Sequence, residues 1–267
     1  MSVGRGLLTI ASVAAIALLA RSIFVGAIPL WIAIAAFVIY LAIALIGVLF
    51  PRLEMFADVV WKGPSDVPEV ALTFDDGPHP VHTRKVLEML EEAGAKATFF
   101  VLGSKVDQHP DVLREISERG HGIGVHGYEH DRFTSLRRSA RIIHDLERAL
   151  RAVEDITGDR PVLYRPPVGH VSPRTDTAAT KLGLTIVGWS ARGLDGLAGA
   201  KPRNVAARVR RGLRPGAIVL LHDAAEQGDR CPAGVGALPS ILEAIHGQGL
   251  RSVDVSRFVE RMTKNKG

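Results

Sequence analysis

The chain has 267 residues, 47% of them hydrophobic, and a formal net charge of +5. That hydrophobic content excludes disorder, the lone Cys231 excludes an intrachain disulfide framework, and the absence of a Gly-X-Y period excludes a collagen-like chain. Residues 51–267 carry 31 basic and 28 acidic side chains with no Lys/Arg-rich block, so no nucleic-acid partner is expected.

Residues 1–50 are compositionally distinct, with Arg5 and Arg21 as their only charges. Residues 7–20 form a short apolar run, and residues 23–50 continue for 28 positions without a charge. As a helix, residues 30–50 span about 31 Å at ~1.5 Å per residue, enough to cross a bilayer core of ~30 Å. The expectation is a transmembrane anchor over residues 1–50, as one helix or as a helical hairpin, although the 7–20 run is short for a crossing. Arg5 followed by that run also fits a signal peptide, but the second segment would still remain as an anchor. Arg5, Arg21, Arg52 and Lys62 are too few charges to fix orientation.

Residues 51–66 read as a linker and 67–267 as one catalytic domain. In the latter, short β-branched runs alternate with helix-length amphipathic stretches. Strands are expected at 70–74, 97–102, 122–126, 162–164, 185–189, 217–221 and 251–253. Helices are expected near 83–93, 110–119, 136–157, 173–182, 202–213, 239–248 and 255–263. Prolines near several helix starts and glycines after helix ends support these boundaries. Alternating βα units predict an α/β fold with a parallel sheet, doubly wound or closed as a barrel.

The conspicuous polar groups fall just beyond the expected strands. Thr73-Phe74-Asp75-Asp76-Gly77-Pro78 ends the first, and His126-Gly127-Tyr128-Glu129-His130 ends the third. Arg165-Pro166-Pro167 follows the fourth, Asp195 comes six residues after Trp189 at the end of the fifth, and His222-Asp223 follows the sixth. Taken singly, these are an ordinary turn, two loop histidines, an ion-pairing arginine and a strand-end histidine. Together they occupy the edge where α/β sheets and barrels place active sites. One aspartate and two histidines make a three-ligand set of the kind a catalytic Zn²⁺ site uses, and Co²⁺, Mn²⁺ or Ni²⁺ suit the same donors. A second aspartate can take a proton, and a separate imidazole can protonate a leaving nitrogen. This is equipment for hydrolysing an amide or an ester.

These residues resemble the polysaccharide deacetylase family with the NodB-homology domain (carbohydrate esterase family 4), over about residues 67–255. The resemblance implies a distorted (β/α)7 barrel, here preceded by the transmembrane segment. It implies Asp75 as general base, with Asp76, His126 and His130 as ligands of a divalent metal, Zn²⁺ first. Arg165-Pro166-Pro167-Val168-Gly169 is similar to the third family motif, which implies that Arg165 orients the base and that the Val168 N–H serves the oxyanion. Leu220-Leu221-His222-Asp223 is similar to the last motif, implying His222 as general acid, with Asp195 tuning it. Four positions depart from the pattern: Gly127 replaces a hydroxyl residue, Val168 an aromatic one, and Arg192 and Gly196 the first aspartate and the tryptophan of the fourth motif. The implied activity is removal of N-linked acetyl groups from an N-acetylated glycan, which places the catalytic domain on the extracytoplasmic side. Three other readings fit parts of the sequence: a deacetylase or deformylase of a lipid-linked amino sugar at the membrane face, a small-amide hydrolase, and a degenerate barrel that only binds glycans or membrane partners.

Overall fold

The computed structural model describes residues 2–264. Met1 and residues 265–267, the ends of the expected anchor and catalytic domain, lie outside the described residues.

Two helices, α1 (Val3–Phe24) and α2 (Leu30–Leu49), pack as an antiparallel hairpin. Ser2 caps α1 by accepting from Arg5 N, and Ser12 Oγ lies 3.3 Å from Tyr40 Oη across the pair. Their apolar side chains point outward all round, Ile10, Ile16, Leu19, Ile34 and Phe37 among them. A helix apolar on every side suits burial or a membrane. Both are long and apolar enough to cross one, by length and composition alone. The short 7–20 run thus sits in a longer helix than its apolar core suggests, because Arg5 and Arg21 stay helical at its two ends.

The rest is a curled parallel sheet. Its strands are β1 (Glu69–Asp75), β2 (Ala97–Val101), β3 (Gly122–Val125), β4 (Leu163–Tyr164), β5 (Thr185–Ile186), β6 (Ala191–Arg192), β7 (Ile218–His222) and β8 (Arg251–Ser252). They lie in the order β5-β4-β3-β2-β1-β7-β6, with β8 beside the amino end of β1. Helices α3 (His82–Glu92), α4 (Gly103–Gln108), α5 (Pro110–Glu118), α6 (Ser139–Thr157), α7 (Pro173–Lys181), α8 (Pro202–Gly212), α9 (Ala233–Gly247) and α10 (Val255–Lys264) connect or follow them. Every residue of β1 and β2 is buried, as a parallel sheet covered on both faces requires. Residues 59–63 belong to this wall. Val60 N donates to Ile186 O, Gly188 N to Val60 O, and Gly63 N to Gly216 O, so the segment spans the opening between β5 and β7.

The architecture agrees with the barrel expected from sequence, and the strand count changes from seven to eight. Strand β6 is two residues long, too short to leave a periodic signal. The expected 185–189 strand shrinks to two residues, because Arg165 side-chain donors take the carbonyls of Val187 and Gly188. Helix α9 starts at Ala233, six residues before the proline expected to open it, so Pro239 lies inside the helix. Tertiary packing decides this start: a Cβ on Gly234 would sit 2.2 Å from Asp195 Oδ2.

Candidate active site

In-register pairing of β1 with β7 sets Asp75 beside His222 at the carboxyl edge of the sheet. Parallel strands open all their following loops on that edge, and five of them deliver the predicted site residues there. Asp75, Asp76, His126, His130, Val168, Asp195 and His222 line one open cleft of about 930 Å³, and Arg165 lies buried behind Asp75.

Asp76, His126 and His130 offer one donor atom each, all within 4.8 Å of one another. Asp76 Oδ1 is 3.6 Å from His126 Nε2 and 3.6 Å from His130 Nε2. That oxygen is buried and has no hydrogen-bond partner among the described residues, which is costly unless a cation meets it. His126 Nδ1 lies 2.7 Å from Arg165 O. A carbonyl only accepts, so Nδ1 carries the proton and Nε2 keeps its lone pair. Burial pushes the His126 pKa down, which favours the neutral ring a metal needs. One carboxylate and two imidazoles, open to a cleft, fit Zn²⁺ and its borderline neighbours.

Asp75 stands beside this set. Its Oδ1 accepts from Arg165 Nη1 at 2.7 Å, while Oδ2 faces the cluster, 3.9 Å from His126 Nε2. Arg165 is fully buried and donates also to Thr73 Oγ1 (2.8 Å), Gly188 O (2.9 Å) and Val187 O (3.3 Å). Its guanidinium lies 4.1 Å from the Phe100 ring centroid. An arginine gripped on all these sides fixes the direction of the carboxylate it holds.

His222 enters from the opposite wall. The buried Asp195 spans it, accepting from the backbone N–H at 2.8 Å and from Nδ1 at 3.0 Å, so Nε2 is left free. Asp195 lies three residues after β6 rather than trailing a strand that ends near Trp189. Burial acts to lower the His222 pKa, but the hydrogen bond and charge of Asp195, with Asp76 and Asp75, push it up to about 9.

Val168 has φ +54, a genuine outlier for a β-branched residue, and Asp76 (φ +73) and Leu194 (φ +57) share the left-handed region. All three line the cleft, and strain of this kind costs about 1–3 kcal/mol each.

Three supporting residues escaped the sequence reading. Glu226 Oε1 lies 3.0 Å from His130 Nδ1, off the direction of a well-formed hydrogen bond, and Arg132 Nε grips the same carboxylate at 2.8 and 2.9 Å. Lys105 Nζ, on the unexpected helix α4, donates to Asp76 O at 2.7 Å and to Ala225 O at 2.6 Å. Asp223 Oδ2 accepts from Thr83 Oγ1 at 2.5 Å, and burial pushes its carboxyl up to about 7. Each acts across a long sequence separation. Only Asp223, next to His222, had a signal in the motif.

A family model described as "Polysaccharide deacetylase" matches residues 62–187. A peptidoglycan-N-acetylglucosamine deacetylase of Bacillus cereus is 33% identical over 210 residues, covering 78% of this chain and 96% of that protein. The chain belongs to the polysaccharide deacetylase family. As a polysaccharide deacetylase it is a hydrolase of N-acetyl amide bonds, from a metal-dependent family. The peptidoglycan-N-acetylmuramic acid deacetylase PdaC of Bacillus subtilis is 31% identical over 196 residues, covering 72% of this chain and 38% of that protein. The crystal structure of a peptidoglycan N-acetylglucosamine deacetylase, solved with a naphthalenyl N-oxidanyl-benzamide, superposes with a TM-score of 0.70 at 29% identity, covering 78% of this chain and 95% of that one.

Proposed function

We propose that this polysaccharide deacetylase is membrane-anchored and removes acetyl groups from the amino sugars of a cell-envelope glycan, peptidoglycan first. The observation that carries the reading is the Asp76/His126/His130 donor cluster beside a carboxylate fixed by Arg165. The printed activities of the Bacillus relatives support the substrate. Such a glycan is extracytoplasmic. Residues 1–50 then form a two-span anchor, 51–66 the connection and 67–267 the catalytic domain, with the N-terminus and the catalytic domain both outside. The turn near Arg21 then faces the cytoplasm, an orientation that follows from the substrate and not from charge counting, since Arg5, Arg52 and Lys62 flank the other side.

A divalent ion held by Asp76, His126 and His130, Zn²⁺ before Co²⁺, Mn²⁺ or Ni²⁺, supplies a Lewis acid for the acetyl carbonyl and acidifies water. Asp75 accepts the proton of the attacking water through Oδ2, with Oδ1 tied to Arg165. The Val168 N–H, presented by its left-handed backbone, donates to the developing oxyanion. His222 gives its Nε2 proton to the departing amine, and Asp195 holds the ring and stabilises its charged form.

The test is acetate release, with matching appearance of free amine, from purified peptidoglycan and chitotetraose by the full chain. No acetate from either with Zn²⁺ present would end the reading. Glu226→Gln should weaken metal binding roughly 10–100-fold, the usual cost of losing a carboxylate behind a histidine ligand. Equal Zn²⁺ affinity in a competition titration would contradict that role. With the His222 pKa at about 9, the acid form persists through neutral pH and is lost as pH rises through that value. Asp195→Asn removes the charge that raises it, so the alkaline limb of the kcat/KM profile should move to lower pH. An unmoved limb would detach Asp195 from His222.

A further inference from the structure

The hairpin joins the catalytic domain at the rim of the cleft. Val171 N donates to Val48 O at 3.2 Å, near the end of α2, and Arg52 Nε donates to Trp189 O at 3.1 Å. Trp189 and Gly169 line the cleft, and their contact is so close that a Cβ on Gly169 would lie 2.2 Å from the Trp189 ring. The amino end of α1 is tied to the same corner by Ser2 Oγ donating to Glu54 O (2.9 Å) and Arg5 to Asp58 (2.8 Å). Both helix ends therefore leave from the carboxyl edge of the sheet, the edge that carries the site.

Exposed apolar side chains of the domain concentrate toward that edge as well, Val162 excepted. Outside the hairpin and the residue that follows it, the large exposed ones are Val81, Phe133, Leu136, Val162, Val168 and Leu197. Phe133, Val168 and Leu197 line the cleft. Leu136 is 67% exposed and does not line the cleft. Its carbonyl accepts from Arg174 Nη1 at 2.9 Å, and Arg174 is three residues past Val171, which meets the hairpin at Val48. An apolar rim continuous with a pair of apolar helices has the shape of an interfacial surface, with side chains entering the headgroup boundary.

We infer that Phe133, Leu136 and Val168 seat the cleft rim on the bilayer that holds the hairpin, so that the site takes N-acetylated amino sugars carried on a lipid. This rests on the proposed deacetylase and anchor, and it narrows their substrate to one presented at the membrane surface. The reaction is unchanged: water adds to the acetyl carbon, the C–N bond breaks, acetate leaves, and the amine keeps the proton from His222.

Two readouts on the full chain in phosphatidylglycerol-containing vesicles test this. In a Cys231→Ser background, an environment-sensitive fluorophore is attached through Leu136→Cys or through Val162→Cys, at the amino end of β4 on the opposite edge. The label at 136 should shift to the blue and be quenched by doxyl lipids, and the label at 162 should do neither. Equal, water-like emission at both positions would overturn the seat. In the second readout, acetate release from N-acetylglucosaminyl polyprenyl diphosphate in the same vesicles should exceed that from free chitotetraose at least about tenfold. Leu136→Glu should lower the first rate severalfold and leave the second unchanged. Equal rates on both substrates would overturn the substrate class and leave the deacetylase standing. Acetate from neither would overturn the deacetylase itself, and the fluorophore would still decide the seat.

Discussion

Asp75→Asn is expected to keep its metal and to lose turnover by about 10²–10⁴-fold, the range over which a positioned general base contributes. The geometry separates the two consequences. The three candidate ligands are Asp76, His126 and His130, so an amide at position 75 leaves that set untouched. The Asn oxygen can still accept from Arg165 as Oδ1 does now, so the side chain keeps its direction. What vanishes is the lone pair on the atom facing the cluster, because an amide nitrogen cannot take a proton at neutral pH. Metal content by mass spectrometry and kcat on one preparation check both halves. Wild-type turnover would remove Asp75 from the base role, and loss of metal would make it a ligand.

Arg165→Met is expected to destabilise the fold by roughly 3–5 kcal/mol, the cost of stripping one partner from a buried ion pair. Arg165 is fully buried and Asp75 nearly so, and Oδ1 of the carboxylate loses its charged donor. The carbonyls of Val187 and Gly188 lose their donors in the same step. Equilibrium urea unfolding measures the loss, and the double variant Arg165→Met/Asp75→Asn separates its causes. Removing the stranded charge should recover part of the stability relative to Arg165→Met alone, a coupling that contacting residues show and distant ones do not. Additive losses would mean that the arginine acts through packing on Phe100 and not through Asp75.

Much of this site could be read in the chain because parallel strands bring residues far apart in sequence to one edge. Asp75, His126, Arg165 and His222 each end or follow a β-branched or apolar strand, so their convergence follows from the alternation pattern. Asp195 was placed by likeness to a family motif, and the two-residue strand that carries it left no periodic trace. Glu226, Lys105 and Thr83 were illegible for a different reason. Their roles consist of single contacts across 94 to 140 positions for Arg132–Glu226, Lys105–Ala225 and Thr83–Asp223, and no local pattern encodes those. The start of α9 was misplaced because Pro239 is a strong local signal, whereas the packing of Gly234 against Asp195 is a tertiary one. The apolar head was legible as membrane-length helix. Its junction with the cleft rim was not, since Val48 and Val171 are unremarkable in sequence.

The central claim is that Asp76, His126 and His130 together hold one catalytic metal. It is tested most directly by stripping the full chain with a chelator and titrating Zn²⁺ back while following acetate release. Activity should be absent in the stripped enzyme and return to its maximum at one equivalent of Zn²⁺, with no return in Asp76→Ala or His126→Ala. Undiminished acetate release from the metal-free enzyme, or full restoration in either variant, would contradict it.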